Sequence, residues 1–111
     1  MTNLELVEIY AEAWRKLDVT ILEPYLADDF KYSSFYVFDT LGKEEYLDYL
    51  KGKFTAIKAS GTEPIVSLGK EGGVLPCVLL QQSGNSLAAI TVKVQEGKIV
   101  VGYMIPYDLV R

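Results

Sequence analysis

A site for proton transfer or hydrolysis is assembled from histidines, paired carboxylates and activated hydroxyls or thiols, and this chain offers few of them. It contains no histidine. That removes the Ser-His-Asp and Cys-His arrangements together with the commonest transition-metal ligand. Cys77 is its one cysteine, so neither a disulfide framework nor a cysteine metal cluster can form within the chain. It lies in the apolar run 74–80 and reads as a small buried hydrophobe, because a reactive thiol needs exposure and a nearby positive charge. Asp28 and Asp29 are adjacent, so in an extended or turn segment they point to different sides, as solvated or capping carboxylates do. Asp39 is the better acid-base candidate if its segment bends inward, although turn chemistry accounts for it equally. Asp48 falls on the polar stripe of a helix and should face water.

Tyrosine is the abundant polar-tipped residue, with eight in 111. Each supplies an apolar body and a hydroxyl that needs a partner when buried. Tyr10, Tyr32 and Tyr36, with Trp14 and Phe54, could line a cavity suited to a flat, mostly apolar molecule, or could simply fill a core. Tyr103 and Tyr107 could serve the cavity mouth or a subunit contact.

The elements that must position these groups follow from periodicity. Thr2 and Glu5 are spaced as a capping box. Leu6, Val7, Tyr10, Ala13, Trp14 and Leu17 recur at helical spacing behind them, so the first helix is amphipathic. Asp18 is a plausible N-cap for a second, short helix through Leu22, which Pro24 should keep from continuing. Residues 30–38 alternate as a strand rich in aromatics, and Asp39 to Gly42 looks like a turn. Lys43 to Lys58 forms a third helix, its stripe made of Tyr46, Leu47, Leu50, Phe54 and Ile57. Ser60-Gly61 ends it, since glycine tolerates the left-handed backbone there. Strands 63–70, 74–82, 86–95 and 98–106 then form an antiparallel meander, with turns at Gly72-Gly73, Ser83-Gly84-Asn85 and Glu96-Gly97. In the third of these, Ala88, Ile90, Val92 and Val94 share one face against Thr91, Lys93 and Gln95. Residues 74–80 and 99–105 are apolar on both faces, which calls for a second cover, most simply another subunit joined as a homodimer through the sheet.

Bulk properties narrow the partners. The formal charge is −4, half the residues are hydrophobic and 23% are charged, which suits one folded domain over 1–111. The densest basic group, Lys51, Lys53 and Lys58, reads as a solvated helix face, so no nucleic-acid partner is expected. Gly72-Gly73 lies between strands with no helix after it, unlike a phosphate loop. No signal-peptide pattern and no apolar run of membrane-spanning length is present, so a cytoplasmic protein without a membrane partner is expected.

The order of helix, short helix, Leu26-Ala27-Asp28-Asp29-Phe30, strand, helix and long meander resembles the nuclear transport factor 2-like superfamily. Gly42-Lys43-Glu44-Glu45, opening the third helix, belongs to the same pattern. The superfamily includes ketosteroid isomerases and SnoaL-like polyketide cyclases. The resemblance covers essentially the whole chain. It implies an α+β, cystatin-like cone in which three N-terminal helices pack on a curved antiparallel sheet and enclose a pocket. The family's isomerases use a helix-one tyrosine and a protonated acid on a late strand as oxyanion donors, and a second carboxylate as the base. Tyr10 falls on the tyrosine. The base position, five residues after Asp29, is Ser34, which cannot abstract a proton near neutral pH without a strong base beside it. The second donor's position is Ile90, and a two-residue slip would offer Ala88 or Val92, equally inert.

Two functions stay open on this footing. One is a non-catalytic domain binding a small apolar ligand or a partner protein. The other is an isomerase, cyclase or dehydratase acting on a small hydrophobic carbonyl compound, with Tyr10 polarising the carbonyl and an acid such as Asp39 handling the proton. The expected pocket lining is Tyr10, Trp14, Tyr32, Ser34, Tyr36, Phe54, Ile90 and Met104, with no metal and no cofactor.

Overall fold

The first helix, α1 (Asn3–Lys16), is closed at both ends by local bonds. At its start the Thr2 hydroxyl accepts from the Glu5 N–H at 3.1 Å, and the Glu5 carboxylate accepts from the Thr2 N–H at 2.9 Å. This is the reciprocal box expected from the spacing. At its end Leu17 adopts a left-handed backbone (φ 53°), and the Leu17 and Asp18 N–H groups donate back to Trp14 and Ala13. Both terminal carbonyls are thereby satisfied in a Schellman arrangement, made without glycine. A computed structural model of the chain describes residues 2–34, 37–71, 75–81 and 87–106. The expected turns at Gly72-Gly73 and Ser83-Gly84-Asn85, and the candidates Tyr36 and Tyr107, lie outside the described residues.

Asp18 caps the next turn as expected, accepting from the Thr20 N–H at 2.9 Å. The second helix is a single 3₁₀ turn, Val19–Ile21, followed by another at Glu23–Tyr25 with Pro24 in its first turn. Where one strand and a turn are expected over 30–42, two strands form instead: β1 (Leu26–Ser34) and β2 (Val37–Gly42), paired antiparallel. Asp39 to Gly42 is thus strand rather than turn. The long helix α2 (Lys43–Ser60) therefore follows a hairpin, and only α1 and the 3₁₀ turns precede the sheet. The Glu45 carboxylate accepts the Gly42 N–H at 3.2 Å at the start of α2, and Gly61 (φ 75°) closes it.

β3 (Ile65–Glu71), β4 (Leu75–Gln81), β5 (Leu87–Gln95) and β6 (Lys98–Pro106) form the expected antiparallel meander. Glu96 and Gly97, both at positive φ, make the two-residue turn between β5 and β6, the backbone that a twisted hairpin prefers. The sheet order is β2-β1-β6-β5-β4-β3, and β1 runs parallel to β6. A purely antiparallel sheet is therefore not what forms. Between Leu26↔Ile99 and Lys31↔Val101 the β1–β6 register shifts. That irregularity carries Asp28 and Asp29 outward, both exposed, with Asp28 3.8 Å from Lys43.

Both helices cover one face of this mixed sheet. α1 packs over β3, β4 and β5, and α2 over β1 and β2. Between them lies one cluster that includes Leu6, Tyr10, Trp14, Phe30, Leu50 and Ile90. Alternation puts Cys77, Ala89 and Ile105 on the opposite face, where they form a second buried apolar group with Leu79. Cys77 is fully buried, as its setting suggests. Asp48 is exposed. Among the described residues no helix is long and apolar enough to cross a membrane.

Candidate functional site

The polar atoms of the core belong to aromatic residues. Tyr10 projects from α1 at helical spacing with Leu6 and Trp14, and Tyr46 from the first turns of α2. Their hydroxyls are hydrogen-bonded to each other. Tyr32, on the inner face of β1, stacks on the Tyr46 ring at 4.3 Å between centroids, and Phe30 packs on the same ring at 5.2 Å. Tyr49, one turn further along α2, lies 6.1 Å from Tyr32. Trp14 meets the Phe54 ring edge-on at 5.0 Å. The Lys53 ammonium bridges the two halves: it sits 5.9 Å from the Trp14 ring and donates to the Tyr49 hydroxyl at 3.4 Å. The Tyr10 hydroxyl reaches the sheet where β6 has Gly102, whose missing Cβ would stand 3.5 Å from it.

Burial decides the electrostatics here. Tyr10, Trp14 and Tyr32 are 0% exposed and Tyr46 1%, so a phenolate at any of the three tyrosines would be stripped of water. Their pKa values are raised, in each case first by desolvation. Mutual repulsion among the phenols adds to the rise. The Tyr46 hydroxyl holds Tyr10 back in part, and Ser34 does the same for Tyr32. Although Ser34 is near enough to act on Tyr32, no group meets the Tyr32 hydroxyl with hydrogen-bond geometry, and the Trp14 Nε1–H is likewise unpartnered. No charged residue is buried among the described residues. Within the cluster Trp14 Nε1 and Lys53 can only donate, whereas each phenol hydroxyl can donate or accept. Its tyrosines stay neutral across ordinary pH, which makes them donors and not bases.

The expected lining residues fall in three places. Tyr10, Trp14, Tyr32 and Phe54 are together in the aromatic cluster. Ser34, Met104 and Ile90 form one cross-strand row, on β1, β6 and β5 respectively. Ser34 and Ile90 therefore flank Met104 two strands apart, about 10 Å across the sheet. Ile90 is fully buried, Met104 nearly so and Ser34 half-buried. Asp39 is exposed on the edge strand β2, and no carboxylate is among the groups acting on Tyr10. With these side chains shut off from water, an enclosed pocket is not visible against Tyr10, Trp14, Tyr32 or Ile90. On α2, Tyr46, Tyr49 and Lys53 belong to the cluster though none is in the expected pocket lining; Tyr46 was expected on the apolar stripe and Lys53 on the solvated face. Their signal was spacing: residues 46, 49 and 53 follow one face of α2. Lys53 accordingly leaves the solvated face expected of it and lies over Trp14.

Among the described residues no group of three His, Cys, Asp or Glu side chains could hold a metal ion. A surface cleft of about 310 Å³ lies between the end of α1 and the second half of α2, with Phe54 in its lining.

No protein-family model matches the chain, and no curated protein matches it significantly. Solved structures do. A SnoaL-like protein of unknown function from Burkholderia thailandensis superposes with a TM-score of 0.72 at 16% identity, covering 92% of this chain and 91% of that one. An NTF2-like protein of unknown function from Cytophaga hutchinsonii gives 0.69 at 15% identity, over 96% and 90%. A cystatin-fold protein from Novosphingobium aromaticivorans gives 0.68 at 19% identity, over 95% and 98%. Likeness at this identity establishes the fold: the chain has the nuclear transport factor 2-like, cystatin-type α+β fold.

Proposed function

We propose that the chain is a non-catalytic binding domain for a small, mostly apolar molecule that carries a hydrogen-bond acceptor, such as a carbonyl oxygen. The carrying observation is the pair of buried, unpartnered polar groups, Trp14 Nε1 and Tyr32 Oη, with no charged residue buried beside them among the described residues. An orphaned buried polar group costs about 1–3 kcal/mol, and a ligand oxygen would relieve that cost. Because the rings close on one another, the ligand must part them, so binding is coupled to opening of the cluster. Trp14 is the one tryptophan of the chain, and its emission reports on the site directly. Thermal shift and Trp14 quenching with small apolar carbonyl compounds, repeated on Tyr10→Phe, test the assignment. Saturable binding that weakens on loss of one hydroxyl supports it; binding unchanged in Tyr10→Phe and Tyr32→Phe would relegate the hydroxyls to packing.

A second reading, an isomerase, cyclase or dehydratase of small carbonyl compounds, is favoured by one feature. The Tyr10 hydroxyl is held by Tyr46 away from water, a setting that suits a donor to developing negative charge. Against it, the positions of the base and second donor carry Ser34 and Ile90, and Asp39 is exposed. Deuterium exchange at carbon next to a bound carbonyl, above the solvent rate, would establish the enzyme.

The outer sheet face supports a homodimer. Tyr103 remains 38% exposed on that side, two residues along β6 from the apolar Cys77-Ala89-Ile105 group. Sedimentation at micromolar concentration should show a dimer that Tyr103→Lys weakens; a monomer refutes it.

A further inference from the structure

The cleft beside α1 has a chemistry of its own. At about 310 Å³ it lies at the small end of ligand sites. Three ammonium groups, Lys16, Lys51 and Lys58, surround it, with one carboxylate, Asp18. This is a positive patch on a chain of formal charge −4. Leu17, half-buried, supplies apolar surface in the same cleft, and the buried Phe54 and Val19 lie beneath it.

The carboxylate is already engaged. Asp18 accepts from the Thr20 hydroxyl at 2.6 Å and from the Thr20 N–H at 2.9 Å. Those bonds hold its pKa below the usual range, and the nearby Lys58 and Lys16 charges add to the effect. Lys16 shares its charge with Glu12 at 3.7 Å across an exposed pair. Lys51 and Lys58 are exposed and form no ion pair among the described residues. Seven residues apart on α2, they stand two turns from each other on one face, a rise of about 10 Å. Two flexible four-carbon chains can close that gap around one anionic group. Thr55 lies between them, its hydroxyl turned back onto the Lys51 carbonyl at 2.8 Å.

We infer that this cleft binds a small amphipathic anion: a carboxylate or sulfonate gripped by Lys51 and Lys58, with an aromatic or short aliphatic body lying against Leu17 and the lysine stems. The cleft shares the buried Phe54 with the aromatic cluster but opens on its other side, and it does not depend on the function proposed for the tyrosines.

Benzoate is the probe, with benzamide as its neutral counterpart and inorganic phosphate as an anion lacking an apolar body. Backbone amide shifts of the full chain give the readout. Benzoate should saturate, with its shifts confined to residues 16–20 and 51–58, and its affinity should fall as salt is raised. Benzamide and phosphate should bind at least about tenfold more weakly, and the double variant K51E/K58E should lose about tenfold or more in affinity. Both lysines are exposed, so an unchanged urea transition in that variant shows the fold intact; Lys51→Gln with Lys58→Gln serves if it is not. The inference is overturned if benzamide binds as well as benzoate or if the folded double variant keeps its affinity. It is equally overturned if Tyr10→Phe abolishes the benzoate shifts, or if anionic vesicles bind while no soluble anion does.

Discussion

Removing one hydroxyl from the core should strengthen the fold at Tyr32 and weaken it at Tyr46, although the chemical change is the same. The Tyr32 hydroxyl is buried without a partner. Such a group costs about 1–3 kcal/mol, and because the Ser34 hydroxyl lies near enough to offset part of that by hydrogen bonding the expected gain in Tyr32→Phe is about 1 kcal/mol. Tyr46→Phe keeps the ring that stacks on Tyr32 at 4.3 Å but breaks the hydroxyl pair with Tyr10. The lost bond, about 1 kcal/mol net, and the newly orphaned Tyr10 hydroxyl, about 1–3, sum to a loss of roughly 2–4 kcal/mol. Replacing both Tyr10 and Tyr46 removes donor and acceptor together and should cost less than Tyr46→Phe alone. A double-mutant cycle should therefore show coupling of at least about 2 kcal/mol. Urea unfolding reads all of this. With m near 1–2 kcal/mol/M, the midpoint should rise by about 0.5–1 M in Tyr32→Phe and fall by about 1–4 M in Tyr46→Phe. The reasoning fails if Tyr32→Phe destabilises by more than about 1 kcal/mol, which would mean a well-bonded hydroxyl. Strict additivity of the Tyr10 and Tyr46 losses would refute the shared bond.

Other expectations follow from the same core and from two glycines. Burial raises the pKa of Tyr10, Tyr32 and Tyr46; the unfolded tyrosines lose their protons first, near pH 10. The stability they contribute is thus fully present below about pH 10 and declines above it, by about 1.4 kcal/mol per pH unit per tyrosine. Unfolding midpoints at about pH 9 and 11 test this, and a flat profile would show the phenols to be hydrated. Gly102→Ala puts a Cβ 3.2 Å from the Phe30 ring and 3.5 Å from the Tyr10 hydroxyl. A loss of about 1–3 kcal/mol is expected, together with altered Trp14 emission as the cluster shifts. Gly61→Ala meets nothing within 4 Å but forces φ 75° on alanine; calorimetry should find a loss of about 1 kcal/mol with no change in ligand binding.

Short-range chemistry was legible in the sequence. The Thr2-Glu5 box, the Asp18 cap, the Gly61 stop and the Glu96-Gly97 turn each depend on neighbours within a few residues, so spacing reveals them. The hairpin β1–β2 was not legible as two strands. High β-propensity runs unbroken through residues 30–38, and Asp39 and Gly42 are turn-favouring residue types in a segment that tertiary pairing holds extended. The same limit applies to the cluster around Tyr10. Its membership follows from α1 and α2 meeting over the sheet, which fixed Tyr46 as the partner of Tyr10 and swung Lys53 over Trp14. No local pattern distinguishes a tyrosine that lines a core from one that closes a hydrogen bond across it. Nor does a run of apolar residues reveal its sheet neighbour, so the parallel β1–β6 pairing stayed hidden.

That pairing has a consequence for how the molecule comes to exist. β6 is the last strand in chain order yet lies third in the sheet, wedged between β1 and β5, and Tyr32 meets Gly102 across a separation of 70 residues. During synthesis β1 leaves the ribosome about 64 residues ahead of β6, roughly 3–13 s at ~5–20 residues/s. Throughout that interval β1–β2 and β3–β5 are two half-sheets with no shared strand, and α1 has emerged before any of the strands it covers. Local turns and helices can form in the nascent chain, but the cooperative barrier to unfolding cannot, because the element that joins the halves is missing. The fold is a keystone construction: shortening it from the β6 side removes the middle of the sheet and not its edge. Such truncations should expose two sticky strand flanks at once and should aggregate, where trimming β3 would only narrow the sheet.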